Sequence, residues 1–206
     1  QGGRLLDFGV GCGRILQGFA VYSARCKITG VDVDAEAIQW CRSQLDFARF
    51  ATLPRFPPAE IVSSSFDAIY AFSVFSHLPE DLHRRWLEEL ARLAAPGAVV
   101  AITVQGWHVV HEMERGRGGE DPSLCRDLRK RRSELEDRGF LFVPYRTLRF
   151  DETENSRFFE SWDLDAYGNT FIAESYVRAH WSDLFEILGY CEAPDDWQDL
   201  VVLRRR

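Results

Sequence analysis

Short apolar runs alternate with longer amphipathic stretches along the first half of the chain, the pattern of strands and helices taking turns in a parallel sheet. Residues 4–8 predict a first strand, 13–24 a helix with Ile15, Leu16, Phe19 and Ala20 on one face, and 27–31 a second strand. Asp34 predicts the N-cap of a helix carrying Ile38, Cys41 and Leu45 at helical spacing. A weak third strand at 49–53 runs into the proline-rich loop 54–58, where regular structure is excluded. Residues 66–72 predict a fourth strand, and 79–95 a long helix with Leu82, Trp86, Leu90 and Leu93 on one stripe, stopped by Pro96-Gly97. The alanine and β-branched run 98–104 has the form of a strand buried on both faces.

The regularity then breaks. Residues 105–173 mix a basic helix (123–138) with short aromatic strands such as 140–145, and predict an insertion over the site. Order returns with a helix at 174–184 and strands at 185–191 and 200–203, too closely spaced for a crossover, which predicts an antiparallel pair at the sheet edge.

Composition narrows the class. The 206 residues are 46% apolar and 28% charged, which fits a folded globular chain of one domain and excludes low-complexity character. A net charge of −7 argues against a nucleic-acid or anionic-membrane binder. The five cysteines, Cys12, Cys26, Cys41, Cys125 and Cys191, form no C-x-x-C pair, which fits no zinc site or disulfide framework and predicts a reducing, cytoplasmic setting. No metal site is expected, and no run is apolar and long enough to span a membrane. The chain opens Gln-Gly-Gly-Arg and enters a buried-strand pattern by Leu5, so it reads as a piece of a longer chain without the helix that usually flanks such a strand.

The candidate chemistry lies in LLDFGVGCGR, where Gly9, Gly11 and Gly13 fall between a strand and a helix. Glycines there remove the Cβ atoms that would block a tight turn and a close backbone approach to a ligand. The third glycine comes one residue earlier than in the G-x-G-x-x-G of dinucleotide dehydrogenases, and the phosphate-binding G-x-x-x-x-G-K-[ST] is absent. Strand two ends in Gly30-Val31-Asp32, and Asp32 stands 19 residues beyond Gly13, near the offset of a carboxylate that accepts from ribose hydroxyls.

Asp7 with Gly9, Gly11 and Gly13, then Asp32, then FDAIYAFSVFSHL and LAAPGAVVAITV resemble the successive motifs of class I S-adenosylmethionine-dependent methyltransferases, close to the type 11/12 domains. The resemblance implies an α/β, Rossmann-like, doubly wound seven-stranded sheet, mostly parallel with an antiparallel C-terminal strand and helices on both faces. It implies S-adenosyl-L-methionine as cofactor, with Asp7, Gly9, Gly11 and Gly13 against its amino-acid part, Asp32 on its ribose, Val33 beside its adenine, and Ser73 completing the set. Members commonly carry an acidic residue after strand three; this chain has LPRFPP, which leaves backbone groups around Leu53 for the adenine. The segments YGNTF, YVRAHW, FEILGY and QDLVVLRRR look similar to methyltransferase domains found alongside glycan enzymes.

The implied reaction moves a methyl group to an oxygen or nitrogen of a small molecule or sugar by in-line displacement. A general base for it belongs at the carboxyl ends of strands four and five. Ser73, Ser76, His77, Gln105, Trp107 and His108 fall there. His77, directly after strand four, is the first candidate, with His108 second and His111 beside it, while His83 and His180 read as structural. Trp107, Tyr145, Phe158, Phe159, Trp162 and Tyr167 either line an acceptor pocket or form the insertion's own core. The run Arg126, Arg129, Lys130, Arg131 and Arg132 reads as a solvated helix face. Two other functions stay open at this level: a nicotinamide-dependent oxidoreductase, and a non-catalytic cofactor-binding domain of a larger glycan-assembly protein.

Overall fold

A computed structural model describes residues 2–116, 122–145, 166–194 and 196–206. Seven strands form one sheet: β1 (Gly3–Phe8), β2 (Cys26–Asp32), β3 (Arg49–Thr52), β4 (Phe66–Ala71), β5 (Ala94–Val104), β8 (Phe185–Cys191) and β9 (Asp199–Arg205). Their order is β3-β2-β1-β4-β5-β9-β8. The pairs among β1 to β5 are parallel, and β9 runs antiparallel to both β5 and β8. The closing strands are the antiparallel pair at the sheet edge that their spacing predicts, with β8 outermost and β9 between it and β5. The neighbours β1 and β4 carry the change of winding direction, and the crevice at their carboxyl ends is where open sheets of this kind take ligands.

Each face of the sheet has its own core. On one, Leu6, Phe8, Ile69, Val100, Ile102, Val104, Val201 and Leu203 pack with Leu82, Trp86, Leu87 and Leu90 of α2 (Glu80–Leu93). Val177 and Trp181, from α5 (Glu174–His180) and the turn after it, join them. A second cluster joins Ile28 and Phe50 of the sheet to Val10, Leu16, and Ile38 and Cys41 of α1 (Ala35–Gln44). Asp34 caps α1 as expected, accepting from the amides of Glu36 (2.9 Å) and Ala37 (3.1 Å).

Three elements differ from the sequence pattern. The first helix is a short 3-10 helix, Leu16–Tyr22, that buries only Leu16, while Ile15, Val21 and Tyr22 are exposed. Gly18 and the β-branched Val21 make this segment a weak helix former. Helix α2 ends at Leu93, before Pro96-Gly97, because Ala94 already pairs with Phe66 of β4. Helix α5 stops at His180, and Asp183 beyond it turns to Arg84 (2.7 Å).

Between β5 and α5 lie α3 (Trp107–Glu114), α4 (Pro122–Arg138) and a two-stranded sheet of β6 (Phe140–Pro144) and β7 (Gly168–Ile172). Val109, Val110, Met113, Leu124, Leu128, Leu135, Leu141, Val143 and Phe171 give this unit its own core, with Trp107 and Tyr145 packed against it. Phe158, Phe159 and Trp162 lie outside the described residues. The basic run is ion-paired at the surface: Arg131 with Glu134, and Arg132 with Glu114 and Glu136.

Strand β7 is joined to the main sheet's exits through its backbone. The Gly168 amide donates to His77 (3.1 Å), Thr170 to Ser76 (2.8 Å) and Ile172 to Gln105 (2.8 Å). The buried Thr170 hydroxyl adds a bond to the Leu78 carbonyl at 2.6 Å. Thr170→Val removes only that hydroxyl and is expected to lower stability by about 1–2 kcal/mol, measured by urea unfolding.

Candidate active site

The turn after β1 carries three glycines in the left-handed region, Gly9 (φ 86°), Gly11 (φ 51°) and Gly13 (φ 74°). Their surroundings differ. A Cβ at Gly9 would overlap Val74, and one at Gly13 would overlap Leu45, whereas a Cβ at Gly11 would meet nothing within 4 Å. The loop is thus packed against protein at both ends and open in the middle. The Gly9 and Val10 amides donate to the Val31 carbonyl (2.8 and 3.0 Å), and Cys41 Sγ contacts the Gly11 carbonyl at 3.3 Å.

Asp32, at the end of β2, closes the arrangement. Its Oδ2 accepts from the Gly11 amide at 2.7 Å and its Oδ1 from the Asp34 amide at 2.9 Å. Burial raises its carboxyl, opposed by these backbone donors, which favour the charged form. Val33 beside it is 41% exposed, so its side chain is available to a ligand. The Leu53 amide donates to the Asp32 carbonyl at 2.7 Å and is committed to the protein, so the sequence expectation that it serves a ligand does not hold for that N–H.

Asp7 lies behind the loop, 3% exposed, and accepts from the Tyr70 hydroxyl at 2.6 Å. Desolvation pushes its carboxyl up to about 7, Tyr70 opposing and the Asp32 charge adding to the rise. Tyr70 was not flagged by the motif, although parallel register sets it beside Asp7 once β1 and β4 are paired.

At the exit of β4, Ser73 adopts a left-handed conformation (φ 58°), a costly state for a residue with a Cβ. Its amide donates to Thr103 Oγ1 (2.8 Å), and its hydroxyl meets Ser76 Oγ (3.4 Å) and Gln198 Nε2 (3.1 Å). Gln105, 5% exposed at the end of β5, buries an amide oxygen that has no hydrogen-bond partner among the described residues.

His77 is enclosed by the inserted strands. Its Nδ1 lies 2.9 Å from the Gly168 carbonyl and 3.0 Å from the Tyr145 hydroxyl, and its ring stacks on Tyr167 (centroids 5.0 Å, planes 19° apart). Burial lowers its pKa, with the bond to Gly168 opposing. The sequence pattern named all three aromatic residues without joining them, because 68 positions separate His77 from Tyr145. His108 sits apart on α3, with Nε2 3.8 Å from Asp196 and close enough to Asp199 to act on its charge. His111 stacks on Trp107, His180 on Tyr176, and His83 is buried among Phe75, Phe140 and Trp181.

Residues 6–100, which hold the glycine loop, Asp32, the β4 exit and most of β5, match the family model of a methyltransferase domain. That similarity to a methyltransferase domain spans just under half of the chain. The fold of the chain is shared with a SAM-dependent methyltransferase from Methanosarcina mazei (18% identity, TM-score 0.64, covering 99% of this chain and 92% of that one). It is also shared with one from Aquifex aeolicus (16%, 0.61, 100% and 84%). A third similar structure is 1,6-didemethyltoxoflavin-N1-methyltransferase of Burkholderia thailandensis, which has 1,6-didemethyltoxoflavin and S-adenosylhomocysteine bound (14%, 0.58, 100% and 72%). No curated protein sequence matches this chain significantly.

Two outcomes follow from the loop and its acids. Gly11→Ala is expected to cost about 1 kcal/mol, the left-handed penalty alone, whereas Gly9→Ala is expected to cost about 2–3 kcal/mol more by displacing Val74, both measured by urea unfolding. Asp7 binds its proton more tightly folded than unfolded, so stability should fall as pH rises from the ordinary carboxylate range near 3.8 to about 7, and level off above. Asp7→Asn should flatten that part of a stability-against-pH curve.

Proposed function

We propose that residues 1–206 act as one methyltransferase domain that moves a methyl group to an oxygen or nitrogen of a small molecule or sugar, with 105–173 as an insertion over the acceptor site. The observation that carries the reading is the glycine loop, open at Gly11, whose amide is tied to the Asp32 carboxylate. In this reading Gly9, Gly11 and Gly13 give the amino-acid part of S-adenosylmethionine close access to the backbone, and Asp7 faces its ammonium. The lone pairs left on Asp32 accept from the ribose hydroxyls. Val33 covers one side of the adenine, and Ser73 borders the reacting end. The buried Asp7 and partly buried Asp32 carboxyls also suit a ligand that carries positive charge on sulfur and nitrogen.

When bound, S-adenosylmethionine would supply a methyl carbon activated on a sulfonium: an acceptor oxygen or nitrogen lone pair bonds to that carbon as the carbon–sulfur bond breaks, and the sulfur keeps the pair as S-adenosylhomocysteine. The chain's part is to align the two partners, exclude water and remove the acceptor's proton. His77 is the first choice of base and His108 the second. The net charge of −7 favours a neutral acceptor over nucleic acid. The five cysteines are all free, which supports a cytoplasmic setting, and among the described residues no helix is long and apolar enough to cross a membrane.

Calorimetry tests the cofactor. S-adenosylmethionine and S-adenosylhomocysteine are expected to bind and NAD not to; a folded protein that binds neither sulfur compound overturns the reading. Asp32→Ala should weaken binding by about 1.5–3 kcal/mol, the worth of a charge-assisted hydrogen bond. Radiolabelled methyl transfer to a panel of sugars, phenols and amines then identifies the acceptor, and undiminished turnover in His77→Ala would remove that residue as base.

A further inference from the structure

We propose that the inserted sheet fixes His77 in one tautomer and one ring plane, with Tyr145 and Tyr167 as positioning residues that leave the lone pair of His77 on Nε2. The inference rests on the methyltransferase reading for its purpose and on hydrogen-bond geometry for its content.

Gly168 contributes a carbonyl oxygen, which can only accept. At 2.9 Å from Nδ1 it requires the proton to be on that nitrogen, since two lone pairs would otherwise face each other. The Tyr145 oxygen, 3.0 Å from the same Nδ1, is a second acceptor for the same N–H. The Tyr167 ring, stacked at 19° to the imidazole, restrains rotation out of plane. In water a neutral histidine favours the Nε2–H form, so these contacts select the tautomer that solvent does not.

The parts come from distant stretches of chain that backbone bonds bring together. The Gly168 amide donates to the His77 carbonyl (3.1 Å) while the Gly168 carbonyl takes the His77 ring, and the Tyr145 amide donates to the Tyr167 carbonyl (3.0 Å). Histidine and clamp therefore move as one piece. Among the described residues the titratable groups against the ring are the Tyr145 and Tyr167 phenols. Burial raises the Tyr167 phenol most, further from its charged form, with Tyr145 and then the Asp32 charge adding to the rise.

In the reaction the acceptor's O–H or N–H proton passes to Nε2, the O–H or N–H electron pair stays on the acceptor atom, and the resulting imidazolium, proton-bearing on both nitrogens, returns a proton to water. A histidine held in the other tautomer has no lone pair on Nε2 and cannot perform this step.

Long-range 1H–15N correlation spectra of the 15N-labelled chain test the clamp without an acceptor, with His77 assigned by the peaks lost in His77→Gln. At pH 7 and at pH 6 His77 is expected to show the neutral pattern protonated at Nδ1. A pattern protonated at Nε2, or an imidazolium at pH 7, overturns the proposal. Tyr145→Phe keeps the packing and removes one acceptor, and should raise the Nε2–H fraction measurably; an unchanged ring spectrum removes Tyr145 from the clamp. S-adenosylhomocysteine titration of the same samples separates the two levels. Wild-type binding with the wrong tautomer sinks the clamp alone, and the Nδ1–H form without binding leaves the clamp and sinks its assigned purpose.

Discussion

The hydrogen bond from the Gly11 amide to the Asp32 carboxylate ties the end of β2 to a loop that would otherwise have little to hold its centre. Both ends of that loop are fixed by packing, Gly9 under Val74 and Gly13 against Leu45, but at the middle a Cβ would meet nothing within 4 Å. A charged acceptor fixed by two backbone amides supplies what packing cannot, since such bonds are shorter and stronger than neutral ones. The cost is a carboxylate kept where burial opposes its charge, within reach of a second carboxylate, Asp7. That electrostatic tension is relieved by backbone donors on Asp32 and by Tyr70 on Asp7, so the geometry of the ligand edge depends on strand pairing as much as on the motif.

The inserted unit is built differently. It has its own apolar core and so does not rely on the sheet for cohesion. Its attachment combines Phe140 and Ile172, which pack in the main sheet's core, with a short series of backbone bonds to Ser76, His77 and Gln105, the residues that leave β4 and β5. Hydrogen bonds of this kind set register more than they add stability. The unit's contribution is accordingly one of placement, bringing Tyr145, Tyr167 and Gly168 to a histidine that the parallel sheet delivers.

Much of this was legible from spacing. The alternation of strands and helices, the glycine loop, Asp32 and the Asp34 cap depend on neighbours within a few residues or within one strand-loop-helix unit, where periodicity and turn chemistry act directly. What failed were effects of pairing. Helix α2 gave up Ala94 to a strand pairing with Phe66. The segment after the glycine loop kept the apolar residues of a helix but tightened into a 3-10 turn around Gly18. Tyr70 and the aromatic surroundings of His77 required the three-dimensional register, since residues 63 and 68 positions apart leave no periodic trace.

The interior position of β9 has a consequence for the order in which the molecule can assemble. Strand β8 is made first, yet it pairs only with β9 and has no ladder partner until residues 199–205 arrive between it and β5. During synthesis the five parallel strands can therefore consolidate while β8 still exposes both edges, and an unpaired strand edge is a ready template for misassociation. Arg204, Glu186 and the exposed bulge at Leu188 put charge and irregularity on this late-closing pair. The same short strand that completes the sheet thus ends the interval in which a nascent chain is most open to pairing with the wrong partner.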